Sequence, residues 1–100
     1  MVKWSLPAKA DIREIFDYIA RDSRFYAIKV VDEIIELSEK LNPHTFRGRV
    51  VPEVNHSNVR EVFIYSYRLI FEVSLTDIFI IAVIHGKRIL SPEEIEERRE

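Results

Sequence analysis

The run Ile78-Phe79-Ile80-Ile81-Ala82-Val83-Ile84 constrains this chain more than any other segment. Its seven apolar residues are mostly β-branched, and neither the odd nor the even positions offer a polar edge to water. That pattern predicts a central strand covered on both faces. A helical alternative fails on length and β-branching, and the run falls far short of the roughly 20 residues a membrane helix needs. A chain of 100 residues has room for one domain around such a strand. Residues 1–100 therefore read as a single domain, with 91–100 as an acidic tail or a short helix.

The cover for that strand is legible upstream. Val2, Lys3 and Trp4 read as a short opening strand. Ser5 offers an N-cap, and Pro7 lies just inside the first turn, where a missing N–H costs little. Ala8, Ile12, Ile15, Phe16 and Ile19 then fall on one helical face to about Ala20, with Asp11, Arg13, Glu14 and Asp17 elsewhere. After a turn at 21–24, a second helical pattern runs over about 25–41, with Ala27, Val30, Ile34, Leu37 and Leu41 inside and Val31 and Ile35 widening the stripe. Asn42 and Pro43 stop it. So short a connection predicts an antiparallel hairpin whose apolar face packs on a sheet.

Residues 59–65, 67–73 and 78–84 supply the sheet as an antiparallel meander, broken at Ser66 and at 74–77. Ser91, Pro92 and Glu94 have capping-box spacing, so the end of the chain reads either as a short acidic helix or as a fraying tail. The fold class is α+β: a short N-terminal strand and a helical hairpin packed on a mainly antiparallel sheet of about four strands.

Composition limits the chemistry. With 47% hydrophobic and 32% charged residues, two glycines and four prolines, the chain is globular rather than disordered. The absence of cysteine excludes disulfides, thiolate catalysis and Cys-ligated metals. Charged residues throughout 1–20 replace the apolar stretch of a signal peptide, so the expectation is a cytoplasmic protein with no membrane role. The net charge of −2 gives no global field for a polyanion. Only residues 47–90 are net basic, with Arg47, Arg49, Arg60, Arg68, Lys87 and Arg88 against four carboxylates. Five of those cations are guanidinium groups, suited to bidentate contacts with phosphate or carboxylate.

His85 directly follows the apolar strand and precedes Gly86, Lys87 and Arg88, so an imidazole and two cations lie at one sheet edge. His85 is either a hydrogen-bonded strand-end residue or a site residue. Arg60 and Arg68 lie on the preceding strands, and a turn near Ser66 brings them toward Arg88 if the register allows it; a one-residue slip inverts the outcome. Converged guanidiniums and a histidine are the minimum for metal-free RNA cleavage: cations for the phosphate, and a group near pKa 6.5 for proton transfer. Gly48, between Arg47 and Arg49, reads as a loop leading to the sheet, either a solvated turn or a partner contact. Glu53 and Glu61 are candidate bases, although Glu61 beside Arg60 reads more simply as a surface strand residue. His44 and His56 lack partners at metal spacing, so no metal is expected. Trp4, Phe16 and Tyr18 read as core or core edge, while Tyr65 and Tyr67 have the chemistry to stack on a base. With no phosphate loop, GxSxG or HExxH, nucleotide hydrolases, serine hydrolases and zinc proteases drop out, and no cofactor is implied.

The order β–α–α–β–β–β, with Trp4-Ser5, Ala8 and Ala10, Asp17-Tyr18-Ile19-Ala20, Pro43, Gly48-Arg49, Val51-Pro52-Glu53, Val59-Arg60-Glu61-Val62, the run from Tyr67 to Val73, and Ile84-His85-Gly86-Lys87-Arg88, resembles the RelE/ParE superfamily of bacterial toxins. The ParE-like branch, often called plasmid stabilisation proteins, is the nearer of the two. The resemblance implies a type II toxin silenced by a cognate antitoxin that wraps the hairpin and sheet, with operator DNA bound only through that antitoxin. ParE-like members poison DNA gyrase without catalysis of their own. RelE-like members cleave mRNA on the ribosome. In the RelE pattern, Arg68 and Arg88 match phosphate-contacting arginines and Arg60 matches a lysine, and some relatives place a histidine near His85. Val62 replaces a second lysine, and Glu94 stands near that branch's C-terminal tyrosine position. The leading expectation is a gyrase poison contacting its target through Arg47, Arg49, Arg60, Arg68, Lys87 and Arg88. The alternative is an mRNA endoribonuclease with Arg60, Arg68, His85 and Arg88 as its catalytic set, and a third reading is a member that only binds its antitoxin.

Overall fold

A computed structural model describes residues 1–99. The elements run β1 (Val2–Trp4), α1 (Leu6–Ala20), α2 (Arg24–Lys40), β2 (Arg49–Val50), β3 (Val59–Ile64), β4 (Tyr67–Val73), β5 (Ile78–His85) and α3 (Pro92–Arg99). Each helix start has a serine cap: Ser5 Oγ accepts from the Ala8 N–H at 3.1 Å, Ser23 Oγ from Tyr26 at 3.1 Å, and Ser91 Oγ from Glu94 at 3.1 Å. The Ser5 hydroxyl also donates to the Ile81 carbonyl at 3.3 Å, which ties the start of α1 to β5.

The sheet has the order β1-β5-β4-β3-β2, with β1 parallel to β5 and every other pair antiparallel. It holds five strands where about four were expected. The additional one is β2, two residues that pair with Arg60 and Glu61 inside what reads as a loop. Gly48 makes this pairing possible: its φ is +65°, and a Cβ there would lie 2.4 Å from the Glu61 carbonyl oxygen. It is therefore a close-approach glycine and not a solvated turn.

Two cores sandwich the sheet. Under the hairpin, Ala8, Ile15, Val30 and Ile34 meet Leu69, Phe71 and Ile80. On the opposite face, Val51, Val59, Ile70 and Ile84 lie beneath Leu90 and Ile95, so the segment that ends in α3 covers the second face. Tyr18, expected at the core edge, is 67% exposed. Asp11, expected on the polar face, is buried: its carboxylate accepts from the Val83 N–H at 3.0 Å and from Arg98 at 2.7 Å, which closes the edge of β5 beyond the end of β1. Among the described residues, no helix is long and apolar enough to cross a membrane.

One irregularity decides the geometry of the candidate site. Pairing between β4 and β5 passes from Phe71–Ile80 to Ile70–Ala82, leaving Ile81 as an extra residue. Ile81 and Ala82 both pack on the α3 side, and Val83 returns to the hairpin core. Every later residue of β5 is thereby moved to the other face.

Candidate functional site

Arg68 stands opposite Phe63 on one neighbour and Ile84 on the other, so its side chain enters the α3 face of the sheet. There it is buried. Its Nε donates to Glu61 at 2.8 Å, and Nη2 lies 2.6 Å from the same carboxylate. Nη1 and Nη2 donate to Glu53 at 2.7 and 2.8 Å, and Nη1 also donates to the Arg88 carbonyl at 3.2 Å. Four hydrogen bonds thus engage all three nitrogens of the guanidinium within the chain. The Glu53 hydrogen bonds hold the Arg68 guanidinium more firmly protonated than usual, against the opposing effect of burial. Reciprocally, the Arg68 hydrogen bonds lower the Glu53 carboxyl below its ordinary value. Glu61 is fully buried rather than a surface strand residue. It also accepts from Arg49 Nε at 2.6 Å, and the Arg49 guanidinium sits 5.0 Å from the centre of the Phe63 ring.

The other candidate residues are dispersed. His85 stands opposite Tyr67 and Arg60 opposite Phe71, four residues apart along β4, or roughly 13 Å at strand spacing. Both face the hairpin side, away from Arg68. Arg60 is occupied locally, donating to the Ser57 and Gly48 carbonyls at 2.7 and 3.3 Å. Arg47 lines a separate cavity at the far end of the sheet, with His44, Asn58 and Ser74. The convergence of Arg60, Arg68, Arg88 and His85 is therefore not formed: the Ile81 bulge puts His85 and Arg68 on opposite faces.

His85 and Arg88 do come together. They line a cleft of about 300 Å³ beside α1, with Glu14, Tyr18 and Tyr67. The His85 Nδ1 accepts from the Lys87 N–H at 3.1 Å, which fixes the ring and leaves Nε2 as its other polar atom. Tyr67 packs edge-on to the imidazole at 6.2 Å, and burial pushes its phenol above the ordinary tyrosine value. Lys87 is exposed. Arg88 makes a rim contact with Glu94 at 3.6 Å. Among the described residues no cluster of three or more His, Asp or Glu is placed to hold a metal. Sequence reasoning missed Asp11, the burial of Glu61 and the pairing role of Glu53. The available signal was a carboxylate and an arginine, Glu61 and Arg68, inside otherwise apolar strands.

Comparison with known proteins agrees with this architecture. The chain's fold is similar to a solved chain of the chromosomal ParDE TA system from P. aeruginosa, with a TM-score of 0.67 and 23% identity over 84% of this chain and 92% of that one. No curated protein matches. The family model described as ParE toxin of type II toxin-antitoxin system, parDE, matches residues 2–90, which takes in every strand and the helical hairpin and stops before α3. The chain belongs to the ParE toxin family of type II toxin–antitoxin systems.

Proposed function

We propose that this chain arrests growth by binding and poisoning DNA gyrase, and that a cognate antitoxin neutralises it. In this reading residues 1–100 act as one cytoplasmic toxin domain, and operator DNA is reached only through the antitoxin. The observation that carries the proposal is the state of Arg68. The ribonuclease alternative needs that guanidinium on the phosphate, yet all three of its nitrogens are hydrogen-bonded to Glu61, Glu53 and the Arg88 carbonyl. Arg60 and His85 also lie too far apart to act on one phosphodiester. A protein that inhibits by binding needs no such convergence. Exposed Lys87 and Arg88 at the end of β5 remain as the cationic part of a contact surface, with Arg47, Arg49 and Arg60 displaced toward the β2 end.

The test adds purified, antitoxin-free protein to gyrase with relaxed and supercoiled plasmid, and in parallel to a translating extract read by primer extension. Blocked supercoiling or gyrase-linked DNA breaks, with intact mRNA, is the expected result. Codon-positioned mRNA cuts with unaffected gyrase would overturn the proposal.

A further inference from the structure

The chain has four tyrosines, Tyr18, Tyr26, Tyr65 and Tyr67, and all four line one hollow of about 340 Å³. They arrive from α1, α2, the β3–β4 turn and β4, so the convergence is made by tertiary structure. His85 lines this hollow as well and joins it to the cleft that reaches Glu14 and Arg88.

Two independent features point to an incoming ligand. The first is backbone strain. Tyr65 is the only non-glycine residue among those described with a positive φ, at 54°. Glycine or asparagine suits that turn position better, so the ring is held there against the preference of the backbone. It stands edge-on to Tyr26, with ring centres 6.5 Å apart, and its hydroxyl donates to Glu33.

The second feature is charge. Among the described residues Glu14 and Glu33 form no ion pair, Glu14 lining the cleft and Glu33 adjoining the hollow through the Tyr65 hydroxyl; the cations nearby are Arg88, exposed at the cleft rim with a 3.6 Å contact to Glu94, and Arg21, 5.9 Å from the centre of the Tyr18 ring. Electron-rich ring faces beside unpaired carboxylates attract a cation and repel a phosphate. A guanidinium fits this setting better than an ammonium, because it is planar, stacks on rings and gives up water more readily.

We propose that the tyrosine hollow seats an arginine side chain presented by a protein partner, with the tyrosine rings as walls and Glu14 and Glu33 as the anionic rim. This goes beyond the identity of the target, and its test does not depend on gyrase. Ring resonances of the full chain are followed by NMR during titration with N-acetyl-arginine amide, its neutral analogue N-acetyl-citrulline amide, and AMP. Saturable shifts at the four tyrosines and His85 are expected with the arginine probe, with citrulline weaker by about tenfold because the cation–π attraction is lost. The double variant Glu14→Gln/Glu33→Gln should weaken the arginine response several-fold with an unchanged urea midpoint. Tyr65→Gly, which relieves the backbone, should retain the fold and lose the response. No saturable shift, equal responses to arginine and citrulline, or a stronger response to AMP would each overturn the proposal.

Discussion

The two faces of the sheet are held by different physics. Under the helical hairpin, contact is between side chains without polar atoms, such as Ile34, Leu69, Phe71 and Ile80, all fully buried. Beneath α3, the apolar cluster around Ile70 and Ile84 shares its face with Arg68, Glu53 and Glu61, and the helix is fastened at its end by Arg98 to Asp11 at 2.7 Å and by Arg99 to Glu72 at 2.6 Å. Apolar packing loses stability roughly in proportion to what is removed. An ionic face depends on every member being present, because one deletion strands a buried charge.

The sharpest contrast is therefore between Arg68→Ala and Ile34→Ala. Leaving Glu53 without a cation and Glu61 with Arg49 alone should cost about 4 kcal/mol in urea denaturation, and the apolar replacement Arg68→Met/Glu53→Leu/Glu61→Leu should recover most of that loss. Ile34→Ala should cost about 3 kcal/mol, with the same value at low and high salt. If the triple replacement is no more stable than Arg68→Ala, the network does more than neutralise itself and the contrast fails.

Arg98→Ala comes next, at about 2 kcal/mol, for a charge-assisted bond lost from a buried acceptor. Asp11 keeps its bond to Val83, so the loss should appear in amide exchange as opening of α3 while α2 stays protected. Uniform deprotection of both helices would contradict the separation of the two faces.

Acid should act on the same face. The Arg68 hydrogen bonds lower Glu53 and the Arg99 hydrogen bonds lower Glu72, in both cases against desolvation. A carboxyl lowered in the folded state contributes stability that is fully present above its unfolded value, here 4.5, and is lost as pH falls through the lower folded value. Protection of the Ile95 amide, which is bonded to the Ser91 carbonyl, relative to its intrinsic exchange rate should therefore be lost below that pH before protection at Val30 and Ile34 is. The smallest effect should come from Glu94→Ala, which removes a solvent-exposed 3.6 Å pair with Arg88 and should shift stability by less than about 0.5 kcal/mol.

Legibility in the sequence followed the same division. The hairpin face was readable because Ala8, Ile15, Val30 and Ile34 repeat at the helical period and Leu69, Phe71 and Val73 at the strand period, and local geometry alone converts those spacings into faces. The α3 face was not. A buried Glu61 has the same letter as an exposed one, and only the placement of Arg68 and Glu53 opposite it makes burial tolerable. Of the candidate site residues, His85 and Arg88, adjacent in sequence, line one cleft, while the link to Arg60 and Arg68 depended on register.

The sequence by itself determined the α+β class, the helical hairpin, the central apolar strand and the resemblance to the ParE toxins, because each rests on local spacing or on residues in order. Tertiary structure alone decided that His85 and Arg68 lie on opposite faces. Strict alternation from Ile78 through His85 would put them on the same face. One extra residue at Ile81, invisible in a run that is apolar at every position, reverses it, since the side chains of a strand change face with every residue.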